Sequence, residues 1–219
     1  TVSFLTCSFS FAEDTPASAA DLLKAGDEAF AKKEFSVAAD KFSALLEKYA
    51  GHAQAPSVQL KLADALIAAG LPLRASTTFE ALLREHADSK EAVKGRFLLG
   101  KTLEARGDFL RAIAQYKQYI VRHPKEANVR DLRLRIPAIY EDVLGKWPDA
   151  TREWLAFVKQ HPADPKAAES LDHAAWLTEY RLRRQKEAVE LYARVVKEYP
   201  NFTGRQKAQG RLAYLCEDG

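Results

Sequence analysis

Five phrases in this chain line up with one another: "EFSVAADKFSALLEKYA" (34–50), "LPLRASTTFEALLREHA" (71–87), "DFLRAIAQYKQYIVRHP" (108–124), "KWPDATREWLAFVKQHP" (146–162) and "RQKEAVELYARVVKEYP" (184–200). Each carries an alanine and, four residues later, an aromatic: Ala38/Phe42, Ala75/Phe79, Ala112/Tyr116, Ala150/Trp154 and Ala188/Tyr192. The alanines are spaced by 37, 37, 38 and 38 residues. A spacing of four places both side chains on one helical face. Pro124, Pro162 and Pro200 then end the helix, because proline has no N–H to continue it. A second helical pattern precedes each phrase. In four of the five, a small residue stands twelve positions before the alanine (Gly26, Ala63, Gly100, Ala138), where two helix backbones are expected to meet closely. Gly70, Gly107 and Gly145 fall at the turn between the two helices. The unit is a helix–turn–helix that cannot bury its apolar face alone and must stack on its neighbours.

The repeat also explains the histidines. Eleven residues after the alanine stand Tyr49, His86, His123, His161 and Tyr199, so three of the five histidines share a position that tyrosine fills elsewhere. A ring that is phenol or imidazole by turns serves shape and an amphipathic edge. His52 and His173 have no ligand-spaced partner. No metal site and no cofactor are expected.

These features resemble the tetratricopeptide repeat. The stretch "LLGKTLEARGDFLRAIAQYKQYIVRHP" (98–124) has its small residue, turn glycine, alanine, aromatic and closing proline in Gly100, Gly107, Ala112, Tyr116 and Pro124. The resemblance covers about residues 19 to 219 and implies an all-α, right-handed α-solenoid. Its five repeats fall at about 19–53, 54–90, 91–127, 128–165 and 166–204. Residues 205–219 read as a capping helix or as the first helix of a sixth, truncated repeat. The step exceeds the usual 34 residues, and with the "KEYPN" ending the chain looks most like bacterial envelope repeat proteins, the Tol–Pal coordinator and outer-membrane assembly lipoprotein types. Departures from the pattern are Lys33 and Arg183 at the turn, Ala50 at the stop, Trp176 in the small position, and Pro137, which is expected to kink or shorten the first helix of repeat four.

The resemblance also implies that the first helices line a concave face on which a protein partner lies. Carried over position by position, the lining is Leu23, Asp27 and Phe30; Leu60, Asp64 and Ile67; Phe97, Lys101 and Glu104; Arg135, Ile139 and Asp142; and His173, Leu177 and Tyr180. Phe30, Ile67 and Phe97 are expected to form an apolar stripe. A basic patch of Arg130, Arg133, Arg135, Arg181, Arg183 and Arg184 is a second candidate, for an acidic peptide or an anionic glycan.

The opening "TVSFLTCSFSFAEDTPASAA" is apolar and uncharged up to Glu13. It is too short to span a bilayer and fits the apolar core of a secretory signal, so residues 1–18 read as a leader and linker and the protein as periplasmic or otherwise in the cell envelope. Phe4, Leu5 and Thr6 make a poor lipobox, so lipidation at Cys7 is not expected, and membrane association would require lipidation or a longer envelope protein. The formal charge of +3, from 33 basic and 30 acidic residues, gives no electrostatic case for nucleic acid. Neither GxSxG, a Walker A sequence, HExxH nor CxxC occurs, and no enzymatic activity is expected. The sequence thus reads as a protein–protein interaction scaffold. The alternatives are a structural spacer or assembly arm, and a glycan-binding module using the arginines with Trp147, Trp154 and Trp176.

Overall fold

A computed structural model of the chain describes residues 17–217. The apolar leader and Cys7 lie outside them. The described residues form eleven α-helices and one π-helical turn, with no strand among them. The helices come in pairs: α1 (Ala19–Ala31) with α2 (Phe35–Lys48), α3 (Ala55–Ala68) with α4 (Pro72–Glu85), α5 (Lys90–Ala105) with α6 (Phe109–Arg122), α7 (Val129–Ala138) with α8 (Trp147–Gln160), and α9 (Ala167–Tyr180) with α10 (Gln185–Glu198). A last helix, α11 (Arg205–Glu217), follows. The chain divides into two compact units that meet in sequence at Gly95 and Arg96, inside α5.

The alanine–aromatic pair is the core of every hairpin. Ala38, Ala75, Ala112, Ala150 and Ala188 are fully buried, and Phe42, Phe79, Tyr116, Trp154 and Tyr192 nearly so. Burying an aromatic ring of this size removes enough apolar surface from water to stabilise by roughly 2–3 kcal/mol. The small residues let the rings in. A β-carbon placed on Gly26 would lie 2.4 Å from the Phe42 ring, and one on Gly100 2.4 Å from the Tyr116 ring.

The turn between paired helices uses one backbone conformation throughout. Gly70, Gly107 and Gly145 have φ of 75°, 79° and 59°, and Lys33 and Arg183 take φ of 64° and 57° at the same position. The left-handed conformation is thus retained where glycine is not, at a cost of about 1 kcal/mol or more for a residue with a β-carbon. At the other end of each hairpin, Tyr49, His86, His123, His161 and Tyr199 are the C-cap residues of α2, α4, α6, α8 and α10. Their rings are half-buried. His123 lies 5.4 Å from the Tyr119 ring and His161 5.1 Å from the Phe157 ring, centroid to centroid. The Tyr49 hydroxyl donates to the carbonyl of Ala17 at 2.8 Å, a use of the amphipathic edge. α1 begins with a capping box between Ser18 and Asp21.

Repeat four carries the main irregularity. α7 is ten residues long and runs directly into a π-helical turn, Ile139–Val143. Pro137 sits inside the α-helical part, buried. The turn takes up one extra residue between the first helix and the Ala–aromatic pair, which accounts for the step of 38 rather than 37. The extra residue in repeat five is taken up before Arg183. The small position in repeats four and five therefore lies thirteen residues before the alanine, not twelve. Pro137 and Ala175 occupy it, both buried, while Ala138 and Trp176 are half-exposed. The apparent departure at Trp176 is a displacement by one residue.

Candidate functional site

The displaced spacing changes which side chains the first helices present in repeats four and five. Ile139 and Leu177 are fully buried and cannot line a binding face; the positions they were assigned belong to Ala138 and Trp176. Their burial follows from the extra residue, which rotates the preceding helix by about 100° relative to the fixed second helix. Asp142 and Tyr180 are exposed, but the residues equivalent to Glu104 are Glu141 and Glu179. Phe97 also leaves the expected stripe. It is equivalent to Leu23 and Leu60, whereas Phe30 and Ile67 are followed by Glu104. The Phe97 ring packs on Tyr119 at 5.7 Å, with the Lys101 ammonium 5.8 Å from its centroid.

In the unit that ends at Gly95, the first helices expose apolar groups among charges. Phe30 is 37% and Ile67 41% exposed, in equivalent positions. Leu23 and Leu60 are half-buried beside them. Asp27 accepts from Lys61 Nζ at 2.6 and 2.7 Å, and Asp64 lies 3.9 Å from Lys94. Burial pushes the Asp64 carboxyl above the usual carboxylate range, against the pull of Lys94. A shallow groove of about 360 Å³ runs past Leu23, Asp27 and His52.

In the unit that begins at Arg96, the corresponding positions hold a repeated polar clasp. Glu104 accepts from the Tyr116 hydroxyl at 2.7 Å and from Arg135 of the next first helix at 2.8 and 2.5 Å. Glu141 accepts from Trp154 Nε1 at 2.9 Å and faces His173 Nδ1 at 3.6 Å. Glu179 accepts from the Tyr192 hydroxyl at 2.9 Å and is gripped by Arg211 of α11 through both Nη2 and Nε. An acid on a first helix, a hydrogen-bonding aromatic on its own second helix and a basic side chain on the next first helix thus recur three times. The basic positions 135, 173 and 211 place α11 in the register of a first helix. Desolvation and the neighbouring Glu104 push the Tyr116 phenol well above its ordinary value, and burial does the same to Tyr192. Burial raises the Glu141 carboxyl, but the nearby His173 ring and the hydrogen bond from Trp154 outweigh it and hold the group below its usual range. The close approach of Glu141 raises His173, whose ring also stacks on Trp154 at 5.6 Å.

Residue-type spacing alone missed the clasp, yet a signal for it is present. Where the second-helix aromatic is phenylalanine, the paired first-helix residue is apolar (Phe30 with Phe42, Ile67 with Phe79); where it carries a donor, the partner is glutamate. Each donor is buried and needs an acceptor.

Five of the six arginines expected to form one basic patch have separate engagements. Arg130 grips Asp164 at 2.7 and 3.0 Å and reaches Asp131 at 3.0 Å. Arg135 belongs to the clasp, and Arg184 lies 3.4 Å from Glu187. The Arg181 guanidinium lies over the rings of both Trp147 and Trp176, at 5.1 and 5.4 Å. Arg183 forms the turn. Among the described residues, no group of three or more metal-ligating side chains converges, and no helix is long and apolar enough to cross a membrane.

Residues 60–127 match a family model described as tetratricopeptide repeat, and residues 169–201 match a second of the same description. No curated protein sequence matches the chain significantly. Among solved structures, the fold is similar to a tetratricopeptide repeat protein from Parabacteroides merdae (12% identity, 91% of this chain and 73% of that one, TM-score 0.56). It is likewise similar to MamA (17% identity, 87% and 94%, TM-score 0.55) and to YrrB, a TPR protein with an unusual peptide-binding site (16% identity, 88% and 92%, TM-score 0.52). Residues 60–127 and 169–201 are tetratricopeptide repeats, set in an all-helical chain whose remaining hairpins repeat the same positions.

Proposed function

We propose that this chain is a protein-interaction scaffold, and that an extended segment of a partner protein lies along the first helices of repeats one and two. The observation that carries this reading is the pair Phe30 and Ile67, exposed in equivalent positions one repeat apart, with Asp27 and Asp64 beside them. Apolar groups at a regular interval offer anchors, and the flanking charges set direction and register. That YrrB has a peptide-binding site is in keeping with this use of the fold. In our reading the protein works in a bacterial envelope, a placement supported by the apolar, uncharged opening of the sequence.

The test is a pull-down from envelope extract followed by a binding titration. A stoichiometric protein partner is expected. Phe30→Ala combined with Ile67→Ala is expected to leave helical content unchanged and weaken binding at least tenfold, about 1.4 kcal/mol. Unchanged affinity would remove the site from this face, and retention on cell-wall polymer instead of a protein would favour a glycan reader.

A further inference from the structure

Arg133 on α7 has a counterpart in each neighbouring repeat: Arg96, 37 residues earlier, and Leu171, 38 residues later. Arg96 is buried and satisfied. It donates to Gln118 Oε1 at 2.6 Å and more weakly to Gln115 Oε1 at 3.4 Å, both on the second helix of its own repeat. Thirty-eight residues on from this pair stand Glu153 and Ala156. The main acceptor is thus deleted in repeat four. A groove of about 220 Å³ opens there, lined by Ile120 and Val121 of α6, Arg133 and Ile136 of α7, and Ala156 and Phe157 of α8.

The consequences fall on Arg133. Its Nε is shut off from solvent with no acceptor among the described residues. Burial holds the guanidinium below its ordinary pKa, although Glu153 attracts it. The Glu153 carboxylate is already bonded to Lys117 at 2.5 Å, and Arg152 beside it is bonded to Asp149 at 2.5 Å. Lys117 and Arg133 set against Glu153 leave one positive charge without a counterion at the groove. An unmatched guanidinium is costly, and because Arg133 as a whole is only half-buried, a charge-assisted bond to a carboxylate entering the groove is the strongest relief available to it. Val121, 78% exposed, offers an apolar shelf next to the charge.

We propose that this groove binds an acidic side chain of a partner peptide, an aspartate or glutamate flanked by aliphatic residues, with its carboxylate in the place beside Arg133 that Gln118 takes beside Arg96, and an aliphatic neighbour on Val121 and Ala156. Two features favour a peptide over a free anion: the site has a single unmatched charge, and its walls are otherwise apolar. The groove is built from α6, α7 and α8 in the unit that begins at Arg96, whereas Phe30 and Ile67 belong to the other unit, so either assignment can fail without the other.

The test uses the full chain and the peptide acetyl-Ala-Leu-Glu-Val-Ala-amide. The probe is the NMR signal of the Arg133 Nε–H group, followed as peptide is added. A saturable shift is expected, at least tenfold weaker when glutamine replaces the peptide's glutamate. Ala156→Gln rebuilds the acceptor that Arg96 enjoys, fills the groove and is expected to weaken binding at least tenfold; for this variant affinity is read from the neighbouring backbone amides. Arg133→Leu, which copies Leu171, is expected to abolish binding with helical content retained; if that variant does not fold, Ala156→Gln decides. The proposal is overturned by no saturable shift into the millimolar range, by equal affinity for the two peptides, by unchanged affinity in Ala156→Gln, or by sodium acetate or a uronic-acid oligosaccharide binding as well as the peptide.

Discussion

Replacing Glu179 by leucine isolates the energetics of the clasp. The carboxylate is only 6% exposed and receives both the Tyr192 hydroxyl and the Arg211 guanidinium. Removing it leaves a buried phenol without an acceptor, a loss of about 1–3 kcal/mol, and an arginine without its mate. Breaking a buried pair costs about 3–5 kcal/mol. Because Arg211 is 28% exposed and can turn toward water, the lower end applies. The expected total is about 3 kcal/mol, or roughly a 1 M fall in the urea midpoint for a slope of about 2–3 kcal/mol per molar. Repeats one and two show the apolar alternative, Phe42 with Phe30 and Phe79 with Ile67. Glu179→Leu combined with Tyr192→Phe and Arg211→Leu is therefore expected to recover to within about 1 kcal/mol of the original, since apolar replacement of a buried polar set is often neutral. Urea unfolding followed by circular dichroism measures both. A single substitution costing under about 1 kcal/mol, or a triple as unstable as the single, would refute the assignment of the clasp as a coupled unit.

The second clasp is expected to be pH-sensitive near neutrality, because His173 stands where the others have arginine. Its pKa is raised above the unfolded value of about 6.5, first by Glu141 at 3.6 Å, with Glu169 and Asp172 adding and burial opposing. The stability it contributes is fully present below about pH 6.5 and is lost as pH rises through the folded value. His173→Arg is expected to remove this dependence, seen as a stability gap from the original chain that widens above neutrality; parallel curves would refute it. Gly100→Ala is expected to cost about 1–3 kcal/mol by driving a methyl into the Tyr116 ring, whereas Gly210→Ala on α11, with no atom within 4 Å, is expected to gain about 0.5–1 kcal/mol; thermal melts separate the two. His123→Tyr is expected to change stability by less than about 0.5 kcal/mol, since Tyr49 and Tyr199 fill the same cap, and stoichiometric metal binding at His86, His123 or His161 would contradict that reading. Arg183→Gly is expected to stabilise by about 0.5–1 kcal/mol by relieving the left-handed turn, measured by urea unfolding.

The sequence by itself determined the hairpin, its period and its core. An alanine and an aromatic four residues apart can only share a face of a helix, and repeating them in register five times leaves stacked helical pairs as the way to bury them. It also placed the turns and the cap histidines, because those positions depend on local backbone geometry. What it did not determine was the phase between the two helices of repeats four and five. One added residue leaves the second-helix pattern intact while rotating the first helix, and only the folded backbone shows where that residue is absorbed: a π-helical turn at Ile139–Val143 in one repeat and the stretch before Arg183 in the other. That rotation buried Ile139 and Leu177 and brought Glu141 and Glu179 to the clasp. The pairing of charges was likewise a tertiary matter. Arg135 and Glu104 are 31 residues apart and Arg130 and Asp164 are 34 apart, and an arginine's partner on the next hairpin depends on the distance between stacked helices, which the residues of neither helix encode alone.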